Sequence, residues 1–203
     1  MLHLFGNRHK LSPAHVLEVQ LQTLESLGFS FQMETEVLVQ SLLYQYSRMY
    51  YEDEPYDFLL SICGDSHLDE NYHEIRFTHD VWTLDLHSTG DARAYLIAID
   101  AMNRLAKGDF LIEACKLYVD PETNEAHVSY QYHGLTMNCD ISIRKGWMDV
   151  SLFRKLGKLA NKGSSAKQFY YRRYEDQAGF LYSDPDTVKK LNGRLKHKYK
   201  LLS

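Results

Sequence analysis

The sequence predicts an α+β fold: a mainly antiparallel sheet, an N-terminal helical pair, and helices packed on one face of the sheet. Three observations carry this. In residues 81–87, Trp82, Leu84 and Leu86 alternate with Thr83, Asp85 and His87, the period of two of a half-buried strand. Tyr95, Ala98, Ile99, Met102 and Leu105 then recur at helical spacing, between an expected Asp91 cap and Gly108. Finally, residues 112–143 hold three strand-like runs, the last two alternating, separated by DPETN and by His133-Gly134, the pattern of an antiparallel meander with one polar face.

The remaining elements follow in order. Ser12-Pro13 is a hydroxyl cap followed by a proline suited to the first helical position, so a helix is expected over Ser12–Leu27 with Leu17, Leu21 and Leu24 inward and Gly28 as its stop. Thr35 is the expected cap of a second helix running to Met49, with Leu38, Leu42, Leu43, Tyr46 and Met49 inside. Pro55 favours a helix for the short apolar run Phe58–Cys63. The polar residues 65–80 read as a long loop with one short strand at Glu74–Phe77. Asp149 should cap a helix to Asn161. Residues 168–174 and 178–182 should form a hairpin across Glu175-Asp176-Gln177, Asp184-Pro185 should open a short helix, and Lys196–Leu202 should be a last strand. The sheet is expected to include residues 81–87, 112–119, 126–132 and 137–143. The whole chain reads as one domain, 1–203, helical over 1–64 and sheet-containing over 75–203.

Composition narrows the function classes. With 203 residues, 44% hydrophobic and 25% charged, the chain can bury a substantial core. No stretch approaches the roughly 20 apolar residues of a membrane span, and the opening residues lack the apolar core of a secretory signal. Cys63, Cys115 and Cys139 are odd in number and far apart, so free thiols in a cytoplasmic setting are expected. The net charge of −4 hides an asymmetry: residues 1–143 hold 8 Lys+Arg against 22 Asp+Glu, and residues 144–203 hold 15 against 5. Either two partner surfaces of opposite sign or mutual neutralisation in the fold would account for it.

No catalytic set emerges. His67, His73, His79 and His87 lie among acidic residues, but their spacing matches no zinc motif, and neither metal nor cofactor is expected. Ser129, His127 and Asp140 could form a hydrolytic set only without the nucleophile elbow that such chemistry uses. No phosphate-cradling glycine loop is present.

One resemblance bears on function. Val81-Trp82 with Asp85, Gly90-Asp91, Tyr118–Asp120, Trp147 with Asp149, and Asp184-Pro185-Asp186 closing at Leu191-Asn192 occur in an order that resembles a loosely defined group of uncharacterised bacterial proteins. Some of these resemble immunity or accessory proteins of bacterial competition loci. The resemblance spans roughly residues 80–202 and brings no catalytic roles. It implies an interaction protein, an immunity-type inhibitor whose partner would be a basic toxin. The acidic-aromatic stretch Tyr51, Glu52, Asp53, Glu54, Tyr56 and Asp57, with Tyr50 beside it, is the expected contact: carboxylates to steer, rings to anchor. The alternative is nucleic-acid binding by the basic region 167–200 through Arg172, Arg173, Lys189, Lys190, Arg194, Lys196 and Lys198. It ranks second because the chain as a whole is acidic.

Overall fold

Ser12 and Pro13 start the first helix as their chemistry requires. The Ser12 hydroxyl accepts from the His15 amide at 3.2 Å, and α1 runs Pro13–Ser26. Helix α2 (Thr35–Gln45) ends early, because Tyr46 turns extended, and a separate α3 (Arg48–Asp53) restarts the spiral before α4 (Pro55–Gly64). The continuous helix expected to Met49 is therefore two helices. Their change of phase takes Met49 out of the core and leaves it on the surface. Strands β1 (Ser66–Leu68) and β2 (Glu74–Arg76) pair antiparallel, the first of them unforeseen in the sequence.

The central unit follows as β3 (Val81–Asp85) and α5 (Arg93–Ala106). The meander is β4 (Glu113–Val119), β5 (Glu125–Tyr132) and β6 (Leu135–Ser142). The β5–β6 turn places His133 and Gly134 at φ 50° and 76°. Helix α6 (Ser151–Ala160), the hairpin β7 (Gln168–Tyr174) and β8 (Gln177–Ser183), helix α7 (Pro185–Asn192) and the short β9 (Lys200–Leu201) complete the chain. This computed structural model describes residues 12–68, 74–87, 93–120, 125–142, 148–163 and 165–203. The expected Asp91 cap, the DPETN turn apart from Asp120, His73 and Trp147 lie outside the described residues.

The class is α+β with antiparallel sheets, as the periodicity predicted. The pairing differs from expectation. Strand β3 does not join the meander but pairs with β8 in a four-stranded sheet ordered β3-β8-β7-β9, while β4-β5-β6 forms its own sheet. Alternation reveals which residues are strands, not which strands are neighbours. Both faces of the four-stranded sheet are also covered, so helices expected on one face lie on two. Trp82, Phe169 and Phe180 pack with α5, α6 and the inner face of the meander. Val81, Tyr170 and Leu181 pack with α1, α2, α4 and α7. On the face of β3 read as polar, Asp85 and His87 are exposed as expected, but Thr83 is buried beneath α4, where its hydroxyl satisfies itself by donating to the Ser61 carbonyl at 2.8 Å.

Two contacts fix this packing. Gly64 lets α4 lie directly on β3, since a Cβ there would sit 2.2 Å from Val81 Cγ1 and 2.7 Å from Thr83 Oγ1. Asp80, just before β3, accepts from the Ser30 amide and hydroxyl, both at 2.7 Å, and from Lys107 Nζ at 2.6 Å. Burial opposes ionisation of Asp80, but Lys107 and Ser30 together outweigh it and hold the carboxyl below its usual range.

Gly64→Ala should therefore lower stability by about 1–3 kcal/mol, measured as a reduced urea midpoint. An unchanged midpoint would show that α4 does not approach β3 this closely. Asp80, with a depressed folded pKa, contributes stability that is complete above its unfolded value of 3.8 and is lost as pH falls through the folded value. Asp80→Asn should lower stability at pH 7 and flatten the stability profile below about pH 4–5, read by denaturation at a series of pH values. A slope identical to the parent's would remove Asp80 from the acid response.

Candidate functional site

The acidic stretch and the basic tail, expected as rival surfaces, meet inside the molecule. Asp57 lies in the first turn of α4, where a carboxylate also suits the helix dipole, and is only 2% exposed. Its Oδ1 accepts from Arg172 Nη1 at 2.6 Å and from the His197 amide at 2.9 Å, and its Oδ2 accepts from the Lys196 amide at 2.9 Å. Arg172, on β7, is 1% exposed. Its Nη2 donates to the Asp57 carbonyl at 2.6 Å and to Ser61 Oγ at 3.2 Å. The guanidinium carbon lies 5.6 Å from the Tyr174 ring centroid and 5.3 Å from that of Tyr199. Gly179 leaves room for this: a Cβ there would be 3.3 Å from Arg172 Nε and 3.2 Å from the Tyr199 hydroxyl.

Neighbouring charges follow the same pattern. Glu54 is paired with Lys196 Nζ, whose hydrogen bond holds its carboxyl low. Arg194 lies over the Tyr56 ring at 6.0 Å. Tyr174 is pushed up to about 12, by burial first and then by Glu54. Tyr51 is buried, donating its hydroxyl to the Leu42 carbonyl at 2.7 Å and taking Gln20 Nε2 on its own carbonyl at 3.0 Å. Tyr51 and Asp57 are therefore corrected from contact residues to interior ones, and Arg172 from a nucleic-acid contact to a buried counter-ion. For Asp57 and Arg172 the physical reason is mutual compensation of charge out of water, and for Tyr51 it is the bonds to Leu42 and Gln20 that satisfy its polar groups inside.

What stays outside is a smaller surface. Tyr50 stacks on buried Phe58 at 4.6 Å with an interplanar angle of 12°, and Phe58 is met edge-on by Tyr46 at 5.4 Å and by Tyr51 at 5.5 Å. Tyr50 remains 45% exposed, Met49 59% and Tyr44 92%. Glu52 and Asp53 are exposed beside them, Glu52 in an i,i+4 pair with Arg48 at 2.6 Å. Tyr44 was not singled out from the sequence, and Met49 was placed inside. The extended break at Tyr46, which ends one helical phase and begins another, is marked by no glycine or proline in the sequence.

On the basic side, Lys189, Lys190 and Lys198 are exposed and carry no carboxylate partner among the described residues, while Arg173 donates to the Glu175 carbonyl. The aromatic rings of this region are largely taken up by the core: Tyr170, Tyr174 and Tyr199 are buried, and Tyr171 is half-buried against it.

The other sets disperse. His67 stacks on Phe77 and meets the Ile62 carbonyl at 2.8 Å, and His87 pairs with Asp176. Among the described residues, no three His, Cys, Asp or Glu side chains converge as a metal site. His127 sits opposite Asp140 across β5–β6 and stacks on Tyr118, whereas Ser129 faces Asn138.

Comparison with protein-family models, with curated proteins and with solved structures finds no match.

Removing one half of the buried pair leaves the other charged and uncompensated. Asp57→Ala should cost about 3–5 kcal/mol, and the double replacement Asp57→Leu with Arg172→Met should recover much of that loss. Chemical denaturation of the three proteins checks this. Equal losses in the single and double variants would show that the pair's charge is not what matters.

Proposed function

We propose that this protein is a protein-binding module of the immunity type, acting on a basic toxin through the α2–α3 shoulder of Tyr44, Met49, Tyr50, Glu52 and Asp53. The observation that carries this is the Tyr50 platform: an exposed ring already stacked on a buried one, on the short helix that also exposes Met49, Glu52 and Asp53, with exposed Tyr44 near the end of α2. A ring held before binding gives up little rotamer freedom on contact, so it suits an anchor. The carboxylates would raise the association rate with a cationic partner. Asp57 and Glu54 are engaged within the fold, which supports taking the contact as the outward-facing carboxylates, Asp53 and the Glu52 that shares an exposed pair with Arg48. The toxin as partner class comes from the sequence resemblance.

Nucleic-acid binding by Lys189, Lys190 and Lys198 is the second reading. It retains phosphate-seeking charge but lacks exposed rings on which bases could stack.

Capture from the source organism with tagged protein should recover one protein with a basic surface. With that partner, Glu52→Lys combined with Asp53→Lys should slow association and weaken its salt dependence. Tyr50→Ala should chiefly speed dissociation, by roughly 30-fold for a loss of about 2 kcal/mol. Recovery of nucleic acid in place of protein, stripped by high salt and lost on reversing Lys189, Lys190 and Lys198, would replace this reading with the second.

A further inference from the structure

The meander ends on an open strand. Strand β4 pairs with β5 on one side, and among the described residues no strand pairs with its other edge. The Asp120 amide donates to the Glu125 carbonyl at 2.8 Å, which sets the phase of the ladder. Directly opposed residues of an antiparallel pair alternate between bonded and unbonded. Tyr118 and Lys116 therefore exchange bonds with β5, and the amides and carbonyls of Leu117 and Val119 point off the free edge. A bulge at Ala114 (φ 49°) disturbs the start of the strand, but the run from Lys116 to Asp120 is regular.

The edge is apolar on the side that faces α5. Cys115 and Leu117 pack partly against the core, and Val119, in the same phase, is left 45% exposed. Helix α5 runs alongside. Asn103 holds the Ile112 amide and carbonyl, both at 2.8 Å, and the Cys115 thiol is pushed up by burial and then by Asp100. Ile97, one turn further along that helix face, is 60% exposed. On the opposite face of the strand, Tyr118 is 48% exposed and stacks on His127, with centroids 4.7 Å apart and planes 16° from parallel. That distance matches the spacing of neighbouring strands, so the two rings form a row along the sheet that stops at its edge.

This edge is complementary to a second copy of itself. Antiparallel pairing about a two-fold axis at Tyr118 keeps every pair within the regular run. Leu117 then lies opposite Val119, Lys116 opposite Asp120, and Tyr118 opposite its own copy. Edge amides meet edge carbonyls, and no like charges face each other. An axis at Leu117 would draw in Cys115 beside the bulge, and one at Lys116 would set two lysines face to face. We infer that two copies of this chain join their β4 edges into one six-stranded sheet. Both Val119 and both Ile97 side chains are covered on its inner side, and the ring row continues from His127 through two Tyr118 rings to the second His127. A contact of this size belongs to a weak, reversible dimer. It shares no residue with the α2–α3 shoulder, so either reading can fail alone.

Sedimentation of the full chain from micromolar to millimolar concentration should show a monomer–dimer equilibrium. The Leu117 and Val119 amides should exchange with deuterium more slowly as concentration rises. Each substitution enters an isologous contact twice, so Ile97→Lys and Val119→Lys should each weaken dimerisation at least about tenfold. Val37→Lys, at an exposed position of α2, should not weaken it. In a Cys115→Ser background, Tyr118→Cys should give a covalent dimer on mild oxidation, because residues opposed at the axis lie within disulfide reach. Tyr44→Cys, at a more exposed position, should stay monomeric under the same oxidation. A monomer at every concentration, equal effects of the Val37 and Val119 substitutions, or Tyr44→Cys cross-linking as readily as Tyr118→Cys would overturn the assignment.

Discussion

The buried pair of Asp57 and Arg172 is the contact on which the arrangement of this chain depends. The two residues are separated by 115 positions, and each is almost fully out of water. Such a pair gives little net stability over an apolar substitute, because desolvation cancels most of the attraction. Its value is in what it excludes. A carboxylate at the start of α4 and a guanidinium on β7 cannot both be buried unless they are buried together. Every packing of the N-terminal helices on the sheet that separates them leaves a naked charge inside. Asp57 also gathers the Lys196 and His197 amides, so the C-terminal tail is fastened by the same carboxylate.

That fastening accounts for the charge asymmetry of the sequence. An acidic first part and a basic last part look like two surfaces waiting for partners. In the fold, Glu54 meets Lys196, Asp57 meets Arg172, and Arg194 lies on Tyr56. Opposite charges far apart in sequence have become neighbours in space.

The elements of the fold were legible where local chemistry decides them. Ser12 and Asp184 accept the amide bonds expected of caps, and Ala126, Val128 and Tyr130 face inward as their alternation requires. Three features were not legible. Thr83 sits in the polar phase of its strand yet is buried, because a hydroxyl can be satisfied by a carbonyl of α4 that the sequence does not place. The break after Gln45 has no glycine or proline to mark it, and it is accompanied by Tyr46 packing its ring edge-on against Phe58, a residue the sequence does not place. The pairing of β3 with β8 spans about a hundred residues and is selected by apolar side chains on both faces of the hairpin, which periodicity alone cannot match to a neighbour.

The candidate surface inherits its rigidity from the ion pair. Asp57 and Phe58 are adjacent on α4 and face different ways. Asp57 holds Arg172 and the tail, while Phe58 lies beneath Tyr50. Fixing α4 by its carboxylate therefore fixes the ring that supports the exposed one. Tyr50 is part of a four-ring cluster whose base is tied, through one peptide bond, to the buried carboxylate of Asp57. A helix held only by apolar contact could slide by a fraction of a turn at modest cost, since dispersion has no preferred direction. A carboxylate with three donors cannot slide without losing them. The charge that sequence reading assigned to a partner is thus better understood as the anchor that keeps the exposed ring in place.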